Sequence, residues 1–378
     1  MDCRRYANRL ALRLRSRVCV AGSVMIFLLF CMTGGYAQSD QRPQASGAKI
    51  PTLEALPHSP LPRGDFIGWC GLSDKMLLKV GRGIEVYDGG VKASPLSFPS
   101  ADLECGDDGQ RLAFVDDEAG RASEVDIPGG IVTRTLATYE KQLFHPKISF
   151  SPDLKNVASD RPLTLVASAV NLNVIELKAR NVRHVRWSHD SSEFFMISEP
   201  PEKARPYIVE ILNAQHQGIG SGTLPAGFLF RDGWFANSQS LYLYLVPARD
   251  EFGSGVVVRC RIEIWKCGRI ADNVLEASAG GDGILAVVRA VGKYSNDGET
   301  ETFPPLYLAE IRNSASQVVA RQTFKSTERR SFGLAVAPSG AKAILTWFGK
   351  AAPGCPPKDQ EGGSCKDGVM IDLSRNLK

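Results

Sequence analysis

The chain has 378 residues, a formal net charge of +4, and 43% hydrophobic residues. Its first 37 residues contain six arginines and one aspartate, a net charge of +5, so the remainder carries about −1. No dense run of Lys or Arg follows this first segment. Because nucleic-acid binding requires a basic face, this charge distribution excludes nucleic acid as a partner.

The first 37 residues have the pattern of a secretory signal peptide. Arginines between Arg4 and Arg17 precede a charge-free apolar run, Val18 to Met32, and the small residues Gly35 and Ala37 follow it. We expect cleavage before Gln38 and export to the bacterial periplasm. The apolar run is shorter than the roughly 20 residues of a bilayer-spanning helix, so no membrane span is predicted in the mature form. The alternative is an uncleaved helix that anchors the protein to the inner membrane.

Three of the nine cysteines lie in this segment, and an even number remains for disulfides. Cys355 and Cys365 bracket a short, turn-rich loop, "PPKDQEGGS", and are predicted to be bridged. Cys70 and Cys105 hold matching places in two repeats, where a bridge and two buried thiols are equally compatible with the pattern.

Cys260 and Cys267 delimit "CRIEIWKC", which contains no typical turn residue. Read as one strand at 3.3 Å per residue, the segment separates them by about 23 Å. That is beyond the reach of a disulfide, so the two can pair only if the segment is not one strand, and their pairing stays open at this point.

From residue 64 onward the chain repeats one phrase: an apolar pair, a short turn, and a second apolar run. Two examples are "ISFSPDLKNVA" from Ile148 and "VRWSHDSSEFF" from Val185. Asp, Asn, Ser, Pro and Gly supply the turns because they tolerate the required dihedral angles. The turn residues of the seven phrases are Asp74, Asp108, Asp153, Asp190, Ser238, Asp282 and Ser339. A period of about 40 to 50 residues indicates a propeller or a solenoid.

Each phrase predicts a β-hairpin, and most are followed by a third strand such as "GIEVYD" (Gly83 to Asp88) or "VMIDL" (Val369 to Leu373). Long runs with helical periodicity are absent outside the signal segment. We therefore divide the chain into a signal peptide (1–37), a Pro-rich segment (38–63) and a repeat domain (64–378).

The turn phrase resembles that of the TolB-type, or WD-repeat-like, β-propeller family, whose blades carry an "SPDG" turn between their first two strands. "FSPDLK" (Phe150 to Lys155) nearly matches this motif, and "WSHDSS" (Trp187 to Ser192) differs mainly by His189 in place of proline. The resemblance implies an all-β, seven-bladed β-propeller with four-stranded antiparallel blades. Six and eight blades are the alternatives. It implies a fold and not a function, since propellers host many unrelated activities.

The last repeat ends without a fourth strand, which leaves a sheet edge open. The segment Ala48 to Leu56 is predicted to close it by pairing with Val369 to Leu373, because an open edge invites aggregation. Pro51 is acceptable in an outermost strand.

Residues that carry chemistry are few. The serine nucleophile motif G-x-S-x-G is absent. His184 and His189 lack a spacing that indicates a metal pair, and the acidic stretch Ser295 to Glu301 lacks the calcium-loop spacing. The sequence predicts no metal, no cofactor and no catalytic residue.

Four charged residues near the predicted inner strands are candidates for binding at the mouth of a central channel: Glu104, Arg186, Arg231 and Arg330. Ion pairs between blades are the simpler explanation for them. We expect an exported, non-catalytic binding or scaffolding module whose partner is an envelope protein or peptide. The alternative is a propeller enzyme of the lyase, lactonase or glycosidase type. Three or more titratable groups with perturbed pKa values in one funnel would favour that alternative.

Overall fold

The computed structural model describes most of the chain after residue 49. The described residues are 50–62, 64–80, 83–93, 103–140, 146–167, 169, 171–177, 181–199, 206–250, 253–296, 301–326, 329–349 and 367–374. The predicted signal peptide and the predicted Cys355–Cys365 bridge lie outside these residues. No helix long and apolar enough to cross a membrane occurs among the described residues.

The described chain is built from short strands and two 3₁₀ turns, Leu53–Ala55 and Gly281–Gly283. In the first half the strands are β1 His58–Pro60, β2 Asp65–Cys70, β3 Lys75–Val80, β4 Gly83–Asp88, β5 Val91–Lys92, β6 Leu103–Cys105, β7 Arg111–Asp116, β8 Arg121–Asp126, β9 Ile131–Thr138, β10 Ile148–Phe150, β11 Asn156–Ser159, β12 Thr164–Leu165, β13 Asn173–Glu176, β14 Val182–Trp187 and β15 Glu193–Ser198. In the second half they are β16 Ile208–Asn213, β17 Gly218–Thr223, β18 Phe228–Asn237, β19 Ser240–Pro247, β20 Gly255–Arg261, β21 Lys266–Ala279, β22 Leu285–Val291, β23 Ser295–Asn296, β24 Glu301–Thr302, β25 Leu306–Arg312, β26 Val318–Lys325, β27 Arg329–Val336, β28 Lys342–Gly349 and β29 Asp367–Asp372.

These strands form several mainly antiparallel sheets. Three of the sheets have four strands, in the orders β2-β3-β4-β5, β14-β15-β16-β17 and β1-β29-β28-β27. A sheet of seven runs β18-β19-β20-β21-β22-β25-β26, because the long strand β21 belongs to two consecutive units. Sheets β12-β9-β8-β7-β6, β10-β11-β13 and β23-β24 have five, three and two strands. The predicted all-β class with repeated hairpins is confirmed.

The predicted turn phrases lie at hairpin turns. In "SPDL" and "SHDS" the residue after the aspartate, Leu154 or Ser191, has a positive φ of 57° or 61°. Glycine occupies that place in other phrases, as at Gly109 with a φ of 60°. The aspartate stabilises the turn through its side chain: Asp153 Oδ1 accepts the Lys155 N–H at 3.1 Å.

Turns of different sheets are hydrogen-bonded to one another. The Asp107 N–H donates to the Pro152 carbonyl at 2.7 Å, and the Ser339 hydroxyl donates to Asp74 Oδ2 at 2.7 Å. The second bond joins the last phrase to the first, across 265 residues of chain. The first and last hairpins are therefore neighbours in space.

The core is divided into clusters that lie between successive sheets. One cluster packs Cys70 and Val86 of the first sheet against Leu112 and Val125 of the next. Another packs Met76 and Leu78 of β3 against Ile344 of β28 and so joins the first sheet to the last. Central strands such as β15 and β19 are covered on both faces and are buried almost throughout, so they read as apolar runs rather than as strict alternation.

The edge of the last sheet is closed by the N-terminal strap, which we define as residues 51–60. Strand β1 pairs antiparallel with β29, with His58 opposite Ile371 and Pro60 opposite Val369. The sequence predicted that Ala48 to Leu56 would form this closing strand, but the residues that pair with β29 are His58 to Pro60. The described part of that segment contains the 3₁₀ turn, whose Leu53 is 1% exposed. Leu53 and Leu56 are buried in the core, and the three residues after Pro57 form the strand that pairs with β29.

Two disulfides are present among the described cysteines. Cys70 of β2 is bonded to Cys105 of β6, with 4.8 Å between their Cα atoms. Cys260 and Cys267 are also bonded, so the interpretation of their segment as a single strand was wrong. The segment "CRIEIWKC" is a hairpin and not one strand: β20 ends at Arg261 and Cys260 lies opposite Cys267. Trp265 supplies the turn with a φ of 39°.

The segment after β10 departs from the repeat. Strand β13 pairs with β11 in parallel, because the intervening strand β12 pairs with β9 of the preceding sheet. The chain then returns to its own sheet in the same direction as it left. Such a crossover is required for parallel pairing, and it explains why this repeat showed no third-strand pattern in the sequence.

Candidate functional site

A cavity of about 510 Å³ is lined by residues from eight strands. One of them is β3, which contributes Leu77. Each of the other seven precedes the turn of one phrase, and we call these the leading strands: β2, β6, β10, β14, β18, β21 and β27. The wall is rich in aromatic side chains, namely Phe66, Trp69, Phe150, Trp187, Trp234 and Phe235. Charged residues of the wall are Glu104, Arg186 and Asp232. We call this space the leading-strand cavity.

Glu104 of β6 contributes a carboxyl group without a hydrogen-bond partner among the described residues. Its side chain is half-buried and lines the cavity. Desolvation by burial raises the pKa of Glu104 to about 7, and the positive charge of Arg186 opposes this rise. The group therefore changes its charge near neutral pH.

Arg186 of β14 lies between an acid and an aromatic ring. Its Nη2 is 3.3 Å from Asp232 Oδ1, and its guanidinium carbon is 6.0 Å from the centre of the Trp234 ring. The same Asp232 oxygen accepts the Gly233 N–H at 2.7 Å. Asp232 is thus held by its own backbone and orients Arg186 at the cavity wall.

His184 lies behind this pair. Its Nε2 is 3.7 Å from Asp232 Oδ1 and has no hydrogen-bond partner. Its ring centre lies 5.0 Å from that of Phe230. Burial, followed by the charges of Arg186 and Lys147, lowers the pKa of His184 to about 3. The imidazole is therefore neutral at physiological pH, and its contact with Asp232 is not an ion pair.

Trp69 of β2 contributes a second unpartnered polar atom. Its Nε1 is buried and has no hydrogen-bond partner, and its ring meets Phe66 edge-on with centres 5.4 Å apart. The Cys70–Cys105 disulfide joins the residues that directly follow Trp69 and Glu104. This covalent link holds the end of β2 next to the end of β6.

The four predicted candidates are only partly brought together. Glu104 and Arg186 line the leading-strand cavity. Arg231 lines a second cavity of about 390 Å³, because it is the extra residue where the β18–β19 register shifts between Phe230 and Asp232. Arg330 lies in β27, and its side chain is outside the described part of the structure.

Sequence reasoning missed Trp69 as an unpartnered donor and missed Asp232, and it considered His184 only as a metal ligand. Asp232 faces Arg186 because a β-bulge reverses the alternation of side chains along β18. The residue pattern of the sequence does not indicate this bulge. His184 is two residues before Arg186 on β14, so period-2 alternation places both on one face. That spacing could have indicated their proximity.

Among the described residues, no group of three or more His, Cys, Asp or Glu side chains is arranged to hold a metal ion. The aromatic wall and the three charged groups can instead hold a polar or charged ligand. The half-buried Glu104 carboxyl group leaves acceptor capacity for such a ligand. The buried Trp69 Nε1–H, on the strand that the disulfide links to that of Glu104, has no acceptor.

Comparison with known proteins supports the fold alone. No family model matches the sequence, and no curated protein matches it. The structure is similar to the β-propeller domain of Cps50 (Swd1) from Myceliophteria thermophila, with a TM-score of 0.52 and 10% sequence identity, over 83% of this chain and 99% of that chain. This likeness shows that the chain has a β-propeller fold.

Two further solved structures match at lower scores. Hydrazine synthase from Kuenenia stuttgartiensis has a TM-score of 0.46 and 12% identity, over 82% of this chain and 100% of that chain. TolB from Acinetobacter baumannii has a TM-score of 0.36 and 12% identity, over 85% of this chain and 65% of that chain.

Proposed function

We propose that this protein is an exported, seven-bladed β-propeller of the TolB-like type that acts as a non-catalytic binding or scaffolding module in the periplasm. Its partner is an envelope protein or peptide, which contacts the leading-strand cavity. The carrying observation is the cavity wall, which combines aromatic rings with the Glu104 carboxyl group, reached by no hydrogen bond from a described residue, and with Trp69, whose buried Nε1 has no partner.

The blade number is supported by the leading strands. Residues from all seven of them line one cavity, as is expected when the first strand of every blade faces a shared axis. The bond between Ser339 and Asp74 and the cluster that joins β3 to β28 support closure between the last unit and the first. The strap would then supply the fourth strand of the last blade.

Export is supported by the two disulfides. Disulfides persist in oxidising compartments such as the bacterial periplasm and are rare in the cytosol. The pattern of residues 1–37 adds a route for export.

Binding is favoured over catalysis by the composition of the cavity. The enzyme alternative would need three or more groups with perturbed pKa values in one cavity, and Glu104 supplies one. Arg186 and Asp232 form an ion pair that shapes the wall, whereas the unpartnered groups and aromatic rings are features of a recognition surface.

The test is capture of partners from the periplasmic fraction after crosslinking. Ile67 lines the cavity and is 46% exposed, so Ile67→Arg should fill the site without disturbing the core. Ile264 is 58% exposed in the β20–β21 hairpin turn and gives a matched control, Ile264→Arg. We expect Ile264→Arg and the unaltered protein to capture the same partner, and Ile67→Arg to lose it. Equal capture by all three would contradict binding at this cavity.

A further inference from the structure

We propose that the leading-strand cavity receives a positively charged side chain of the partner protein, bound by the Glu104 carboxylate among the surrounding aromatic rings. This inference rests on the proposed binding function and specifies the chemistry of the occupant. It follows from three features of the cavity: an acceptor without a donor, an excess of acidic groups, and a wall of aromatic rings.

The first feature is the Glu104 carboxyl group. No hydrogen bond from a described residue reaches it, although it lines a cavity within the fold. An ionised carboxylate accepts hydrogen bonds and donates none. A ligand that satisfies it must therefore bring donors, and ammonium and guanidinium groups bring donors together with the opposite charge.

The second feature is the balance of charge around Glu104. From β14, Arg186 faces the cavity, with the neutral His184 behind it, and from β18 Asp232 faces it. His189, in the turn after β14, also lines the cavity, and the described lining residues of β2, β10, β21 and β27 are uncharged. With Glu104 ionised, two carboxylates oppose one guanidinium, and Arg186 is already paired to Asp232 at 3.3 Å. The remaining negative charge attracts a cation and repels an anion.

The third feature is the aromatic wall. The cavity already holds one cation against a ring, since the Arg186 guanidinium lies 6.0 Å from the Trp234 ring centre. Trp69 precedes Cys70, which is bonded to the residue after Glu104. A ring face attracts a cation, and does so more strongly when water is displaced. The aromatic rings and the Glu104 carboxylate therefore both favour binding of a cation.

Binding should depend on pH. Burial raises the pKa of Glu104 to about 7, so the carboxylate that attracts a cation predominates above this pH and the neutral acid below it. A bound cation favours the ionised form and draws the pKa down. We therefore expect tighter binding at pH 8 than at pH 6.

The experiment measures the affinity of the purified protein for short capped peptides. Acetyl-Gly-Lys-Gly-amide and acetyl-Gly-Arg-Gly-amide are the cationic probes. Their neutral counterparts carry norleucine and citrulline in place of lysine and arginine. Ligand-detected NMR at pH 8 and pH 6 gives the dissociation constants. We expect at least one cationic probe to bind, its neutral counterpart to bind about tenfold more weakly or not at all, and the affinity to fall at pH 6.

Glu104→Gln tests the residue, and Glu263→Gln, at an exposed acid in the β20–β21 hairpin turn, is its control. Glu104→Gln should weaken the cationic probe about tenfold and abolish the dependence on pH, whereas Glu263→Gln should change neither. The proposal is overturned if no cationic probe binds, if the neutral peptides bind equally well, or if Glu104→Gln binds normally. In each of these cases, loss of the partner by Ile67→Arg would still support the binding function, so the two failures are distinguishable.

Discussion

The N-terminal strap and the leading-strand cavity both join parts of the chain that are distant in sequence, but they differ in how completely their polar groups are satisfied. The strap is bonded at both ends: Pro51 accepts the Arg321 N–H at 3.1 Å and Pro57 accepts the Asp372 N–H at 2.8 Å. Leu53 between them is 1% exposed. In the cavity, Trp69 Nε1 is buried without a hydrogen-bond partner, and no hydrogen bond from a described residue reaches the Glu104 carboxyl group, which lines the cavity. The strap is therefore built for stability, whereas the cavity retains unused binding capacity.

Deleting residues 51–60 should have the largest effect. The deletion removes Leu53 and Leu56 from a shared core cluster and leaves the outer edge of β29 unpaired. We expect the free energy of unfolding to fall by at least about 5 kcal/mol, since loss of each buried leucine costs about 2 to 5 kcal/mol. The exposed edge should also promote oligomers. Thermal denaturation and size-exclusion chromatography measure both effects, and an unchanged melting temperature with a monomeric profile would show that the strap is dispensable.

Leu53→Ala tests how much of the strap's stabilising effect comes from one buried side chain. We expect a loss of about 3 kcal/mol in the free energy of unfolding, because the removed methyl groups leave a hole in the cluster that Leu53 shares with Leu345 and Ile371. Thr52→Ala, at the exposed neighbouring residue, is the matched control and should change stability by less than about 0.5 kcal/mol. Urea denaturation of the two variants tests this, and similar losses in both would place the strap's contribution in its backbone.

Glu104→Gln should have a smaller effect and the opposite sign at high pH. An unfolded Glu ionises near pH 4.3, whereas the folded pKa is about 7. The folded state therefore holds the proton longer, and stability is lost as the pH rises from about 4.5 through 7. Removing the charge should stabilise the protein by about 1 to 2 kcal/mol at pH 8, after allowance for solvent in the cavity.

At pH 5 the gain from Glu104→Gln should be smaller, because the native carboxyl is then protonated. Denaturation of the unaltered protein and of the variant at both pH values measures the difference. Glu263→Gln should show no such dependence. Destabilisation by Glu104→Gln at pH 8 would mean that the carboxylate has a stabilising partner, and the cavity would then resemble the strap.

Local residue chemistry predicted most of the hairpins. Aspartate and serine side chains that bond to nearby amides define turns within a few residues, as Asp153 does with Lys155. The central strands that follow are apolar because they are covered on both faces, and this pattern is visible in one dimension. The same reasoning placed Glu104, Arg186, Arg231 and Arg330 near the predicted inner strands, and the structure has the first two lining one cavity.

The errors arose where a distant segment decides the conformation. Nothing local shows that Ile262 to Trp265 would turn, since Trp265 is an unusual residue for a φ of 39°. Its ring lies so close to Gly222 of β17 that a Cβ added at that glycine would overlap it. Packing against the preceding sheet, together with the pairing of Cys260 with Cys267, favours the turn over a continued strand.

The sequence by itself determined the class of the fold, the position of most turns and the alternation of strands, because these depend on side chains a few residues apart. Only the tertiary structure decided which residues close the last sheet, which cysteines pair, and which polar groups share the cavity. The Ser339–Asp74 bond spans 265 residues, and Asp232 meets Arg186 through a β-bulge. Such contacts depend on how whole sheets are positioned and on one-residue shifts in register. Neither can be predicted from the pattern of neighbouring residues in the sequence.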